Sequence, residues 1–176
     1  KMSFWKKILY KKFTDTIIEN ANINTFPSED LRDYFMRFSK NLKSSTSATI
    51  PHIGFLSIEI SQKKELSLFR MCHAGNLSKE RNPDLLFQAL VQFLSKNKEA
   101  NILVDLLGVA NTDLKTLVKK YSLEKNVRFI GSLPYMDALN KMSHYNVLVI
   151  VEANSKDAIY LPSKITDYSQ LGIPVF

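Results

Sequence analysis

From Leu68 onward the apolar residues fall into a repeating order. Short apolar runs, Leu68–His73, Asn101–Leu107, Asn126–Ile130 and Asn146–Val151, alternate with stretches in which apolar residues return every three or four positions. Leu85, Leu86, Ala89, Leu90, Phe93 and Leu94 form one such stripe, and Leu114, Leu117, Val118 and Tyr121 another. Pro134–Ser143 and Pro162–Leu171 read the same way, and Ile173–Phe176 begins a fifth strand. Runs without alternation are strands covered on both faces, while the three-to-four spacing is that of helices. Strands and helices in alternation predict an α/β domain: a parallel sheet with right-handed crossovers and helices on both faces.

The first third is less regular. Phe4, Trp5, Ile8, Leu9, Phe13 and Ile17 recur at helical spacing and predict a helix over 4–20. Lys6, Lys7, Lys11 and Lys12 lie mainly off that stripe, so the expected arrangement is an apolar face on a core and lysines in solvent. A basic amphipathic helix can also lie on an anionic membrane. Asn22–Phe26 suits a short strand, and Pro27-Ser28-Glu29-Asp30 a helix start running through Leu31, Tyr34, Phe35 and Phe38. Asn41–Ala48 reads as a polar loop, Thr49–Ile53 as a short extended piece, and 54–66 as a linker or edge region.

Composition narrows the class. Hydrophobic residues make up 45% of the 176, enough for a core without staples. The single cysteine, Cys72, excludes an internal disulfide and sits among apolar neighbours, as a buried small hydrophobe does. No stretch reaches the roughly 18 apolar residues of a membrane span, and lysines interrupt the start where a secretory signal would need an apolar run. The net charge is +7, and residues 1–50 carry nine Lys/Arg against five Asp/Glu, a balance that favours anionic partners. Nucleic acid is discounted, because the basic residues are not interleaved with aromatics on one surface.

In such folds ligands lie beyond the carboxyl ends of the strands. Three loops fall there. Gly75-Asn76-Leu77 follows the first strand, with Arg81 before the next helix, where a guanidinium could clamp a phosphate. Arg128-Phe129-Ile130-Gly131 and Tyr135 flank the second loop, whose backbone could read a base. Pro162, Ser163 and Lys164 open the last helix, so that two amides and an ammonium are offered to a diphosphate. Asp167 lies on the same helix face and could take a ribose diol or pair with Lys164. Glu152 and Asp157 flank the loop before this helix. His73 ends the first strand, where it could approach a sugar, although lone histidines are more often structural. No His/Cys/Asp cluster has metal-ligand spacing.

The order His73-Ala74-Gly75-Asn76-Leu77, Arg81-Asn82-Pro83, Val127-Arg128-Phe129-Ile130-Gly131, Leu161-Pro162-Ser163-Lys164-Ile165-Thr166-Asp167-Tyr168 and Gly172-Ile173-Pro174-Val175 resembles the C-terminal half of a group 1 glycosyltransferase. The likeness covers 69–176 well and 13–55 loosely, through Thr25-Phe26-Pro27-Ser28 and Ile50-Pro51-His52-Ile53. It implies the GT-B architecture of two Rossmann-like domains, the C-terminal one holding the nucleotide-sugar donor and the N-terminal one most of the acceptor. Residues 1–55 would be the end of the N-terminal domain and its linker, and 56–176 a nucleotide-sugar-binding domain truncated within its fifth strand. By position, Gly75, Asn76 and Arg81 take the places of a diphosphate grip in which the family has an arginine at 76. Asp167 takes the place of the second of two spaced glutamates, and Ile159 stands where the first would be.

The resemblance further implies a hexosyltransferase, retaining in mechanism, in which Arg81 and Lys164 neutralise the leaving UDP or GDP without a metal or other cofactor. The proline-serine-lysine form occurs in relatives that make bacterial capsular or surface polysaccharides. The implied acceptor is a polysaccharide or lipid-linked sugar, and the implied setting the cytoplasm, at the inner face of a membrane. A fragment holding only the donor site should bind nucleotide and turn over little. The rival reading is a catalytically inactive Rossmann-like binding or interaction module, prompted by Asn76 and Ile159.

Overall fold

The computed structural model describes residues 3–54, 67–109, 111–153 and 159–176. The expected linker therefore lies, from residue 55 to 66, outside the described residues. The chain divides into two compact units. One comprises 1–53 with 157–161, and the other 54–156 with 162–176.

The smaller unit contains helix α1 (Phe4–Asn20), strand β1 (Asn24–Phe26), helix α2 (Glu29–Phe38), a 3-10 turn at Ser44–Thr46 and strand β2 (Ser47–Thr49). The strands pair in parallel, Asn24 opposite Ser47 and Phe26 opposite Thr49. The polar stretch expected to be loop thus supplies a strand at its end. Serine begins α2 as expected: Ser28 Oγ accepts from the Leu31 amide at 3.2 Å, and Glu29 and Asp30 occupy the positive end of the helix dipole. Ile18, Phe26, Leu31 and Leu42 form the core of this unit.

The expected inward face of α1 is corrected by the structure. Trp5, Leu9 and Phe13 are 77%, 68% and 63% exposed, and Phe4, Ile8 and Ile17 are exposed as well. Helical spacing shows which residues share a face but not which way the face turns. Polar contacts decide it here. Asp15 accepts from Lys11 at 2.7 Å and from Ser39 Oγ at 2.9 Å, and Lys11 lies over the Phe38 ring. These contacts bring the Lys11–Asp15–Ile18 side of the helix onto the unit.

The larger unit has strands β3 (Phe69–Ala74), β4 (Ile102–Leu107), β5 (Val127–Gly131) and β6 (Val147–Leu148), with helices α3 (Asp84–Lys96), α4 (Thr112–Lys120), α5 (Tyr135–Met142) and α6 (Lys164–Gln170). All four strands are parallel, in the order β5-β4-β3-β6. β6 is shorter than the apolar run predicted. Its ladder nevertheless continues: the Asn146 and Val149 amides donate to the Arg70 and Cys72 carbonyls, and Leu148 and Ile150 bond to the final residues. Val175 bridges Leu148 in parallel, which puts the chain's last residues beside β6.

Two apolar clusters cover the sheet. Phe87 and Leu90 of α3 and Leu114 and Val118 of α4 pack with Val104, Leu106 and Val127 on one face. Leu139 and Met142 of α5 and Tyr168 of α6 pack with Cys72, Leu107 and Leu148 on the other. Each strand is therefore buried on both sides, the physical reason its sequence lacks alternation. No helix among the described residues is long and apolar enough to cross a membrane.

Candidate functional site

The carboxyl ends of β3 and β4 are closed by two glycines in left-handed backbone. Gly75 has φ +124° and Gly108 φ +137°. A Cβ at Gly108 would meet the Gly75 carbonyl oxygen at 2.6 Å, so the two turns pack too closely for any side chain there. At Gly75 a Cβ would stand 3.0 Å from Lys164 Nζ and 4.0 Å from His73 Nε2. Lys164, at the start of α6, thus reaches back to the end of β3.

Tyr168 anchors α6 in this position. It is wholly buried, one turn beyond Lys164, and its hydroxyl accepts from the Ala74 amide at 2.8 Å. Burial pushes its phenol up, so it stays neutral. Its spacing from Lys164 was visible in the sequence, but its bond to the residue before Gly75 was not.

Arg81 and Glu152 complete the group. Arg81 Nε lies 3.6 Å from Glu152 Oε2, both side chains partly exposed. Lys164 is half-buried, and its ammonium pKa lies below the ordinary lysine value. Desolvation lowers it, Glu152 partly offsets this, and Arg81 lowers it further. Two cations and one carboxylate therefore share this edge, a net positive site for an anion. Ser163 adds backbone donors: it is helical and without a side-chain cap, and the Ser163 and Lys164 amides have no acceptor among the described residues. The helix hydrogen bonds begin with Ile165, whose amide donates to the Pro162 carbonyl at 3.0 Å.

His73 is wholly buried at the end of β3. Its Nδ1–H donates to the Val149 carbonyl at 2.9 Å, while Nε2 has no partner among the described residues. Burial first, and then the charge of Lys164, lower its pKa to about 4, so the ring is neutral at physiological pH.

The other expected residues are placed differently. Tyr135, at the start of α5, donates its hydroxyl to Asp167 Oδ1 at 2.7 Å, which joins the second and third loops and raises the phenol pKa to about 12. Asp167 is thus already hydrogen-bonded, and to Tyr135 rather than Lys164. Asn76 Oδ1 accepts from the Val109 amide at 3.2 Å and so holds the turn after β4. Phe129 is half-buried and packs on the α3–α4 core.

Arg128 is not brought to this edge. It is the second residue of β5, opposite Asp105, and its Nε and Nη2 both donate to that carboxylate at 2.8 Å. Asp105 is wholly buried and also receives Arg70 at 3.4 Å and the Tyr145 hydroxyl. A carboxylate in an apolar run needs such partners, and Arg128 is the nearest across the strand. Among the described residues no group of three or more His, Cys, Asp or Glu is placed to hold a metal ion.

A parallel sheet with helices on both faces, closed at its carboxyl edge by glycine turns, is a Rossmann-like α/β architecture. Residues 58–176 match the family described as glycosyl transferases, group 1. The chain belongs to that family.

Solved structures share the fold. WaaG, a glycosyltransferase involved in lipopolysaccharide biosynthesis, superposes with a TM-score of 0.76 at 14% identity, over 99% of this chain and 54% of its own. Sucrose-phosphate synthase from Thermosynechococcus elongatus gives 0.74 at 18%, over 99% and 45%. A mutant of S. aureus TarM in complex with Fondaparinux, alpha-GlcNAc-glycerol and UDP gives 0.65 at 16%, over 93% and 32%. At these identities the likeness is one of fold, the GT-B fold. The chain spans about half the length of the first two. No curated protein matches the chain.

Proposed function

We propose that this chain holds the donor site of a glycosyltransferase, and that the Gly75–Arg81–Lys164 edge binds the diphosphate of a UDP- or GDP-sugar. The observation that carries the reading is the placement of the Lys164 ammonium against Gly75, desolvated and next to Arg81. In glycosyl transfer the bond from the anomeric carbon to the diphosphate breaks, and negative charge grows on the leaving nucleotide. Fixed cations at that point stabilise the transition state more than the ground state. Lys164 and Arg81 are the groups for that role, with the Ser163 and Lys164 amides beside them. Asp167 is the ribose partner, exchanging its Tyr135 bond for the diol, and the transfer is retaining.

The acceptor is a lipid-linked or polysaccharide chain at the inner face of a membrane, in the manner of bacterial surface-polysaccharide enzymes. The outward Trp5, Leu9 and Phe13, with Lys6 and Lys12 on the same helix, suit such a surface. Isothermal titration of the folded chain with UDP, GDP and ADP tests the donor site. Binding of one of them at micromolar to millimolar concentration is expected, and no binding of any would overturn the proposal.

Two observations favour a second reading, an inactive nucleotide-binding module. Asn76 is spent on the Val109 amide, and Ile159 is packed against the core of the smaller unit. Nucleotide binding without transfer in the full-length protein would establish it.

A further inference from the structure

The His73 ring is oriented by a single hydrogen bond. With Nδ1–H given to the Val149 carbonyl, the lone pair of the neutral ring sits on Nε2. No group among the described residues donates to that atom, although the side chain is wholly buried. Buried acceptors are ordinarily satisfied, so an orphan beside a ligand site points to a partner that comes with the ligand.

The position of Nε2 is specific. It lies 4.0 Å from the point that a Cβ on Gly75 would occupy, and Lys164 Nζ lies 3.0 Å from the same point. The space exists because residue 75 is glycine. Chemistry then limits what can fill it. Phosphate oxygens are acceptors and would face the lone pair with no proton between them. A hydroxyl can donate. Of the hydroxyls on a nucleotide-sugar, those of the ribose fall to Asp167, one turn along α6. Lys164 takes the diphosphate, and the ammonium moving onto a phosphate leaves the ring nitrogen to the group beyond it.

We infer that His73 Nε2 accepts a hydrogen bond from a hydroxyl of the transferred sugar and so selects the donor by that hydroxyl. This rests on the nucleotide-sugar reading of the site. Neutrality of the ring supports it, because burial and the charge of Lys164 hold its pKa near 4 and keep the lone pair available.

The test compares bare nucleotides with sugar-nucleotides on the same 176-residue chain by isothermal titration: UDP with UDP-glucose and UDP-galactose, GDP with GDP-mannose, ADP with ADP-glucose. In the wild type the best sugar-nucleotide should bind more tightly than its diphosphate. His73→Asn keeps a donor for Val149 and removes the distal acceptor. It should lower that ratio roughly tenfold, the loss of one buried hydrogen bond, and leave the bare diphosphate within about twofold. His73→Gln, which restores an acceptor near Nε2, should recover part of the ratio.

Singly deoxygenated sugar-nucleotides put the same question to the wild-type chain, whatever the variants do to folding: removal of one particular hydroxyl should abolish the advantage. An unchanged ratio in His73→Asn, equal loss of sugar-nucleotide and diphosphate affinity, or a wild-type ratio of one overturns the inference. Failure of the wild type to bind any diphosphate would instead remove the donor-site reading itself, and the bare-nucleotide titrations show that separately.

Discussion

The larger unit carries two clusters of charge on one sheet, and they are built in opposite ways. Across the middle of the strands, Arg128, Arg70 and the Tyr145 hydroxyl converge on the buried Asp105. Burial alone would push that carboxyl up. The hydrogen bonds from Arg128 and Tyr145, with the charges of both arginines, outweigh it and hold the pKa below the usual carboxylate range. At the carboxyl edge, Arg81 and Lys164 share the partly exposed Glu152, Lys164 is less basic than usual, and His73 keeps a nitrogen with no partner among the described residues. The first cluster satisfies its charges internally and so serves the fold. The second sets two cations against one partly exposed carboxylate and leaves an acceptor without a partner among the described residues, the arrangement that the donor-site proposal uses.

The sharpest way to break the contrast is Asp105→Asn. Removing the buried partner leaves two guanidiniums aimed at a neutral amide, and such losses cost about 3–5 kcal/mol. Arg70 and Arg128 retain some access to water, which favours the lower end. Urea unfolding should show the loss. Nucleotide affinity of the folded fraction should be unchanged, since nothing in this cluster touches the carboxyl edge. A variant as stable as the wild type would show that the network is not structural.

His73 gives the next largest effect, and it has a sign. Its pKa is about 4 in the folded chain against an ordinary 6.5, so the unfolded chain binds more protons between those values. Stability is then fully present above about pH 6.5 and falls as pH drops toward 4, by about 3 kcal/mol in all. Denaturant unfolding from pH 7 to 4.5 should show a steeper fall in the wild type than in His73→Asn. Parallel curves would place the histidine in a better hydrated environment than the structure does.

These two clusters were not equally legible in the sequence. Apolar runs such as Asn101–Leu107 marked the sheet, and strand order put Gly75 and Lys164 at its carboxyl edge, because loop position follows directly from it. Asp105 stood in an apolar run and so required partners, but only the register of β4 on β5 makes Arg128 the residue opposite. For that reason Arg128, although inside the predicted strand Asn126–Ile130, read as flanking a loop near a base and proved to bind a buried carboxylate. The α1 stripe was misjudged for a related reason. Periodicity groups Trp5, Leu9 and Phe13, while the contacts of Asp15 and Ile18 set which side is inward. That Nε2 of His73 is left without a partner among the described residues follows from a bond to a carbonyl 76 residues away, and no local pattern could reveal it.

Within the ligand edge the two cations should differ. Lys164 is half-buried against Gly75, whereas the Arg81 side chain is 46% exposed and more strongly screened. Lys164→Ala should weaken nucleoside-diphosphate binding by roughly 10–100-fold, as loss of a charge-assisted hydrogen bond does. Arg81→Ala should cost less, about 3–10-fold. Equal or reversed losses in isothermal titration would move the weight of the site from α6 to the β3–α3 loop.

The smallest effect separates the two loops that meet at the Tyr135–Asp167 bond. If Asp167 receives the ribose diol, nucleotide binding must break its 2.7 Å bond from Tyr135, and that bond opposes the ligand. An exposed neutral-to-carboxylate bond is worth about 1 kcal/mol or less. Tyr135→Phe should therefore raise nucleotide affinity by up to about fivefold, and Asp167→Asn should lower it. A fall in affinity with Tyr135→Phe would mean that the phenol itself touches the nucleotide. The α5 start would then belong to the ligand edge, and the pairing of Tyr135 with Asp167 would be a preformed part of the site rather than a bond the ligand displaces.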